Sequence, residues 1–162
     1  MKKFILYWLP VLIWVGIIFY SSSQPYQEQD IKPFLSDQIP LDWVSGLFGN
    51  LEFDYAGEEV SVDQLGEAGF VEFFLRKLAH LSVYFILFLL IYRAIFCTTK
   101  IKYIKTTALL LSFIYAASDE FHQGFTANRS PYTEDVLLDT VGIIIGALNA
   151  NLLVQKVNKD KE

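Results

Sequence analysis

Lys77, His80 and Tyr84 are spaced i, i+3 and i+7, which on a helix stacks a cation, an imidazole and a phenol along one face over two turns. Asp119, His122 and Gln123 repeat the rhythm at i, i+3 and i+4, with Glu120 beside them, and Asp135 and Asp139 stand at i and i+4 further on. Between the last two groups lies a turn-rich stretch, residues 126–132, that carries Arg129. Cations and imidazoles of this kind can hold a phosphate or pyrophosphate, while the carboxylates orient them and contact sugars or amides. The same groups can do acid–base work: His80 or His122 as a general base near neutral pH, with Asp119, Glu120 or Asp135 to orient it. Two histidines with carboxylates are also legitimate ligands for zinc or manganese, but a hydrogen-bonded ion network satisfies them without a metal, so no cofactor or metal ligand is assigned. The chain has no Ser nucleophile elbow, no Gly-rich phosphate loop and no HExxH motif, so no known catalytic mechanism is specified and the catalytic residues stay unassigned.

The elements that position these residues are long apolar blocks. Of the 162 residues 53% are hydrophobic, and they gather into runs instead of following an amphipathic rhythm, which argues for lipid as the solvent. Transmembrane helices are expected over 4–20, 70–96, 103–122 and 136–154. The first run, Phe4 to Tyr20, is uncharged, longer than the apolar core of a secretory signal and interrupted by Pro10, so it reads as a retained helix. The third is short for a span unless Ser118 to His122 continue it, because a span needs about 20 residues at 1.5 Å rise each. The single cysteine, Cys97, excludes an internal disulfide and a Cys-x-x-Cys zinc site.

Lysine and arginine set the orientation. Lys2 and Lys3, then Arg93, Lys100, Lys102 and Lys105, then Lys156, Lys159 and Lys161 fall on one side of a four-span chain, and the positive-inside rule makes that side the cytoplasm. Both termini are then cytoplasmic. The opposite side receives residues 21–75, with eleven acidic residues and one basic residue, Lys32. Within the outer loop, 21–69, the alternation of Leu51 to Tyr55 and of Val60 to Val62 around Ala56-Gly57-Glu58-Glu59 predicts a short hairpin. Pro40 to Leu47 predicts an interfacial helix with Trp43 and Phe48 at the headgroup level, and Val62-Asp63 is expected to cap the helix that follows. The tail from Lys156 is expected to be frayed and solvated.

On this topology Lys77, His80, Tyr84, Asp119, Glu120, His122, Gln123, Arg129, Asp135 and Asp139 all lie at the extracytoplasmic helix ends, where charged groups beside a membrane are costly unless paired or wet. The blander readings are that Lys77 and Arg129 snorkel to the interface and that Glu120 caps a helix end in water. Asp139, one turn inside the fourth helix, needs a partner, with Arg129, His80 and Lys77 in reach. Gly142 and Gly146 form GIIIG on the face of Asp135 and Asp139 and predict close packing against another helix of the same chain. Transport is disfavoured, because few polar groups approach the midplane.

The stretches FYSSSQP, KLAHLSVY, SDEFHQGF and NRSPYTEDVLLDTVGIIIG, between Phe19 and Gly146, resemble the VanZ-like family of small bacterial membrane proteins. The family pattern more often has Asn where this chain has Asp139, so a strictly neutral role at that position does not carry over. The resemblance implies an all-α four-helix membrane bundle, a single VanZ-like domain over 1–162, and a place in the bacterial cell envelope. The family's namesake is linked with low-level resistance to teicoplanin, a glycopeptide that acts on lipid-linked peptidoglycan precursors. The expected function is binding or modulation of such a lipid-linked or phosphate-bearing component. The alternative is a membrane-embedded hydrolase or transferase acting on it, and a purely structural ion network ranks third. Membrane lipids are the expected partners, and no nucleic acid is.

Overall fold

A computed structural model describes residues 2–127 and 131–159, with side chains up to residue 151. In chain order it comprises α1 (Lys2–Ser22), a 3-10 turn (Tyr26–Gln29), α2 (Lys32–Gln38), α3 (Asp42–Phe48), β1 (Glu52–Tyr55), β2 (Glu58–Ser61), α4 (Val62–Thr98), α5 (Ile104–Gln123) and α6 (Thr133–Lys159). Arg129 lies outside the described residues.

Helix α4 is the axis of the bundle. Its Tyr84, Leu87, Phe88 and Ala94 are at most 1% exposed, because α1, α5 and α6 all pack on it. Helix α1 runs antiparallel to α4: Trp8 near its start donates to the Thr98 hydroxyl at the end of α4 (3.0 Å), and Trp14 donates to the Val83 carbonyl (3.0 Å). At the opposite end of the bundle Ser22 reaches Asp119 and the Thr126 hydroxyl donates to the Ser22 carbonyl, so α1 ends where α5 ends and α6 begins. Gly142 and Gly146 face α4 as their spacing predicts. A Cβ on Gly142 would stand 2.2 Å from the Leu81 carbonyl oxygen, so only glycine lets α6 approach α4 this closely.

Helix α1 is apolar on every side and passes through Pro10 without breaking. Yet Phe4, Leu6, Leu12 and Ile13 stay more than half exposed to anything outside the protein. A helix hydrophobic all round is stable in that position when lipid covers it. Helices α1 and α4 are long and apolar enough to cross a membrane. Among the described residues α5 and α6 do not reach that level; α5 carries Lys105, Asp119 and Glu120, and α6 carries Glu134, Asp135 and Asp139. The third helix does include Ser118 to His122, the extension its length demanded.

The outer segment is built as a cap. The hairpin pairs Glu52 with Ser61 and Tyr55 with Glu58, and Ala56 and Gly57 turn it at positive φ (58° and 80°). Val60, Val62 and Phe70 join Leu35, Leu41 and Val44 in a second, smaller apolar core. The helix expected to run into the span 70–96 starts at Val62, beside the cap expected for it, and bends at Gly66 (φ 69°), a conformation that favours glycine. Its N-cap is Ser61, whose hydroxyl accepts from the Gln64 amide at 3.1 Å, and not Val62-Asp63; a hydroxyl satisfies an orphan N–H where valine cannot. Helix α2, with Pro33 in its first turn, was not anticipated. At the other end α6 continues to Lys159, past Val154, and 160–162 lie outside the described residues.

Candidate functional site

Three side chains of α4 form successive rungs toward neighbouring helices. At the outermost rung the Lys77 ammonium pairs with Asp135 of α6. One turn deeper His80 Nδ1 meets Asp139 Oδ1 at 3.2 Å. Below that the Tyr84 hydroxyl donates to Asp119 Oδ2 of α5 at 2.9 Å. The i, i+3 spacing of Lys77 and His80 on α4 matches the i, i+4 spacing of Asp135 and Asp139 on α6, while Tyr84, one turn on, meets α5. Asp139 is 1% exposed; of its expected partners His80 meets it and Lys77 goes to Asp135, while Arg129 lies outside the described residues.

Asp119 accepts from three side chains. Oδ1 accepts from Ser22 at 2.7 Å, and Oδ2 accepts from Tyr84 and, at 3.4 Å, from Gln123. It therefore ties α1, α4 and α5 together. Glu120, expected in water, is buried instead: its Oε1 accepts the Tyr132 amide at 2.7 Å, and Oε2 has no hydrogen bond among the described residues. Lys77 does not snorkel, since its ammonium is held by Asp135 and lies over the Tyr55 ring, 4.1 Å from the centroid.

His122 is turned away from the other site residues. It stacks on Phe19 of α1 (centroids 4.4 Å apart), and it lines neither of the two cavities below. Asp119 and Gln123, one full turn apart, share a face of α5, whereas a residue three on from Asp119 rotates toward α1. Among the described residues no group of three His, Cys, Asp or Glu side chains is arranged to hold a metal.

Six participants were absent from the sequence expectation. Ser22 reaches Asp119, and Tyr55 of the hairpin donates to Asp135 Oδ1 at 2.6 Å. Burial, and then the neighbouring Asp135, raise the Tyr55 phenol well above its ordinary value, so it remains a donor at any physiological pH. Arg76 pairs with the buried Glu72 at 2.8 Å, and Tyr26 donates to the same carboxylate at 2.8 Å while its ring lies 4.4 Å below the guanidinium. Burial, followed by the bond to Glu72, raises the Tyr26 phenol too. Donation to the Tyr26 oxygen is the main influence raising the Lys32 ammonium. Arg76 and Glu72, at i and i+4 ahead of Lys77, were the legible signal for this second pair.

These rungs separate two cavities. One, of about 440 Å³, lies beneath the hairpin and is lined by Lys32, Tyr55, Glu72, Lys77, Tyr132 and Asp135 among others. The other, of about 370 Å³, descends between α1 and α4 past Ser21, Ser22 and Tyr84 to Trp14. Arg76, His80 and Gln123 line both. Polar groups converging on a concavity at one end of apolar helices make this the default binding site of the molecule.

Comparison with known proteins agrees with the motif reading. No curated protein and no solved structure matches the chain. The family described as VanZ/LLP1 matches residues 6–154, which covers most of α1 and α6, all of α4 and α5, and the whole of the cap. With that coverage, and with two helices apolar enough to cross a bilayer, the chain is a membrane protein that belongs to the VanZ/LLP1 family.

Proposed function

We propose that the protein is a cell-envelope component that binds or modulates a lipid-linked or phosphate-bearing molecule at the end of the bundle capped by the hairpin. The observation that carries this is the convergence of Lys32, Arg76, Lys77 and His80 on one chamber. Each has a carboxylate neighbour, yet none is used up by it. A guanidinium offers five donors and an ammonium three, and the bonds from Arg76 Nη2 to Glu72 and to the Gln29 carbonyl leave the rest of the fork for a ligand. The carboxylates keep the unliganded cations from being orphaned, and they supply acceptors for the hydroxyls or amides of a head group. A link to teicoplanin resistance follows from the same reading, since holding a lipid-linked precursor changes what a glycopeptide meets outside the membrane.

The reading includes a topology: four spans, both termini in the cytoplasm and the chamber outside. The burial of Asp119, Asp135 and Asp139 against α4 supports it, because the charges that lower the hydropathy of α5 and α6 are not presented to lipid. With Cys97 replaced by serine, a cysteine at Glu52 reacts with a membrane-impermeant maleimide in intact cells, while one at Lys102 reacts only after permeabilisation. The opposite pattern inverts the topology.

Binding is tested with dodecyl phosphate and the full chain in phosphatidylcholine nanodiscs, followed by phosphorus NMR. Arg76→Gln raises the Kd about tenfold, the worth of one charge-assisted hydrogen bond. Lys77→Gln and Arg129→Ala weaken binding in the same direction. Unchanged affinity in all three refutes the proposal. The hydrolase or transferase alternative narrows to His80 as its base, the one histidine that lines the cavities.

A further inference from the structure

The cavity between α1 and α4 differs from the chamber above it in the chemistry of its walls. Below the polar end its lining is Trp14, Ile17, Ile18, Ala79 and Val83, all apolar, and its mouth is flanked by the exposed Ile17 and Ala79. The indole N–H of Trp14 is spent on the Val83 carbonyl, so the ring presents only its apolar body and the two helices are pinned together at the cavity's inner end. From Ser22 to Trp14 is eight residues, which at about 1.5 Å per residue gives a depth of roughly 12 Å. The volume, about 370 Å³, is within the range of small-ligand sites, roughly 300–1,000 Å³. Arg76, His80 and Gln123 line both cavities, so this apolar slot adjoins the cationic chamber.

We infer that the slot between α1 and α4 holds one hydrocarbon chain of an anionic membrane lipid whose head group occupies the chamber. The inference rests on the head-group reading above and adds to it that the ligand enters sideways from the bilayer and brings a chain of its own. A free phosphate satisfies the cations but leaves the slot unfilled. A zwitterionic lipid fills the slot but gains less from Arg76 and Lys77. An anionic single-chain amphiphile matches both limbs, the apolar one by burial and the polar one by charge.

The test uses the full chain with Trp14 as its only tryptophan (Trp8→Phe and Trp43→Phe) in phosphatidylcholine nanodiscs. The probe is dodecyl phosphate brominated on its chain, a contact quencher of indole emission, with chain-brominated phosphatidylcholine as the comparison. The expected result is saturable quenching of Trp14 by the phosphate, several-fold above that by phosphatidylcholine at equal mole fraction. Ala79→Phe, and independently Ala79→Leu, block the mouth and remove that excess, while phosphorus NMR still registers head-group binding. If excess quenching is absent, or survives both Ala79 variants, the slot is not the chain site. If phosphatidylcholine quenches equally, selection for an anionic lipid is wrong. Loss of the phosphorus signal from the parent protein overturns the head-group reading itself, whereas failure of quenching with that signal intact overturns only the chain site.

Discussion

His80→Leu destabilises the protein by about 3–5 kcal/mol, the cost of stripping a buried charge of its partner. Asp139 is 1% exposed, and His80 Nδ1 at 3.2 Å is its hydrogen-bond partner across the helix interface. Leucine fills the space of the imidazole but removes the one donor that meets the Asp139 carboxylate among the described residues, at a depth where an uncompensated charge is costly. The sign of the effect depends on the orphaned charge and not on the lost contact. The double variant His80→Leu/Asp139→Leu therefore recovers most of the loss, because an apolar pair of similar volume removes both desolvation penalties. Asp139→Asn keeps an oxygen for His80 and drops the charge, so it costs no more than about 1.5 kcal/mol, the usual worth of a single hydrogen bond. Reversible unfolding of purified protein in mixed micelles measures all three. A His80→Leu variant within about 1 kcal/mol of the parent, or a double variant no better than the single, contradicts this account. Binding of dodecyl phosphate separates the two roles of His80, since the double variant regains stability without regaining a side chain that lines both cavities.

Much of this site was legible because polar residues are rare in apolar helices. The rhythm of Lys77, His80 and Tyr84 gave a face, and Asp135 with Asp139 gave its complement. The pairing was not legible. Which carboxylate meets which cation depends on the axial offset of α4 against α6, and that offset is set by Gly142 meeting the Leu81 backbone, not by a property of either charge. His122 was grouped with Asp119 by spacing alone, yet a 60° difference around α5 is enough to turn it onto Phe19. Tyr55 and Tyr26 come from a loop, where no period marks which side chain folds back. The hairpin was readable from its alternation and Gly57, whereas α2 was not. The four expected spans rest on apolar blocks and their orientation on Lys and Arg; among the described residues α1 and α4 are long and apolar enough to cross a membrane, while α5 and α6 carry acidic residues that are buried in the bundle.

Gly142→Leu is expected to cost as much as losing His80, by a different route. The Cβ alone would lie 2.2 Å from the Leu81 carbonyl oxygen and 3.0 Å from its carbon, and both are backbone atoms that no rotamer change can move. Carbon–oxygen contacts of this kind settle at about 3.3–3.6 Å, so α6 has to retreat from α4 by about 1 Å even for alanine. Overpacking a well-fitted contact costs about 1–3 kcal/mol, and the rest of a leucine side chain adds to it. The retreat also falls next to the site: Leu81 follows His80 directly, and Gly142 is three residues beyond Asp139 on the same helix. Separation of the helices there stretches the His80–Asp139 contact beyond hydrogen-bonding range, and stability and dodecyl phosphate binding fall together. Gly142→Ala shows both effects in reduced form. Gly16→Ala is the control, since a Cβ there meets nothing within 4 Å and alanine is the better helix former by about 1 kcal/mol. The control variant unfolds no earlier than the parent and binds equally well. A Gly142→Leu protein with parental stability would mean that α4 and α6 do not meet at this point, and the register that pairs Lys77 with Asp135 and His80 with Asp139 would fail with it.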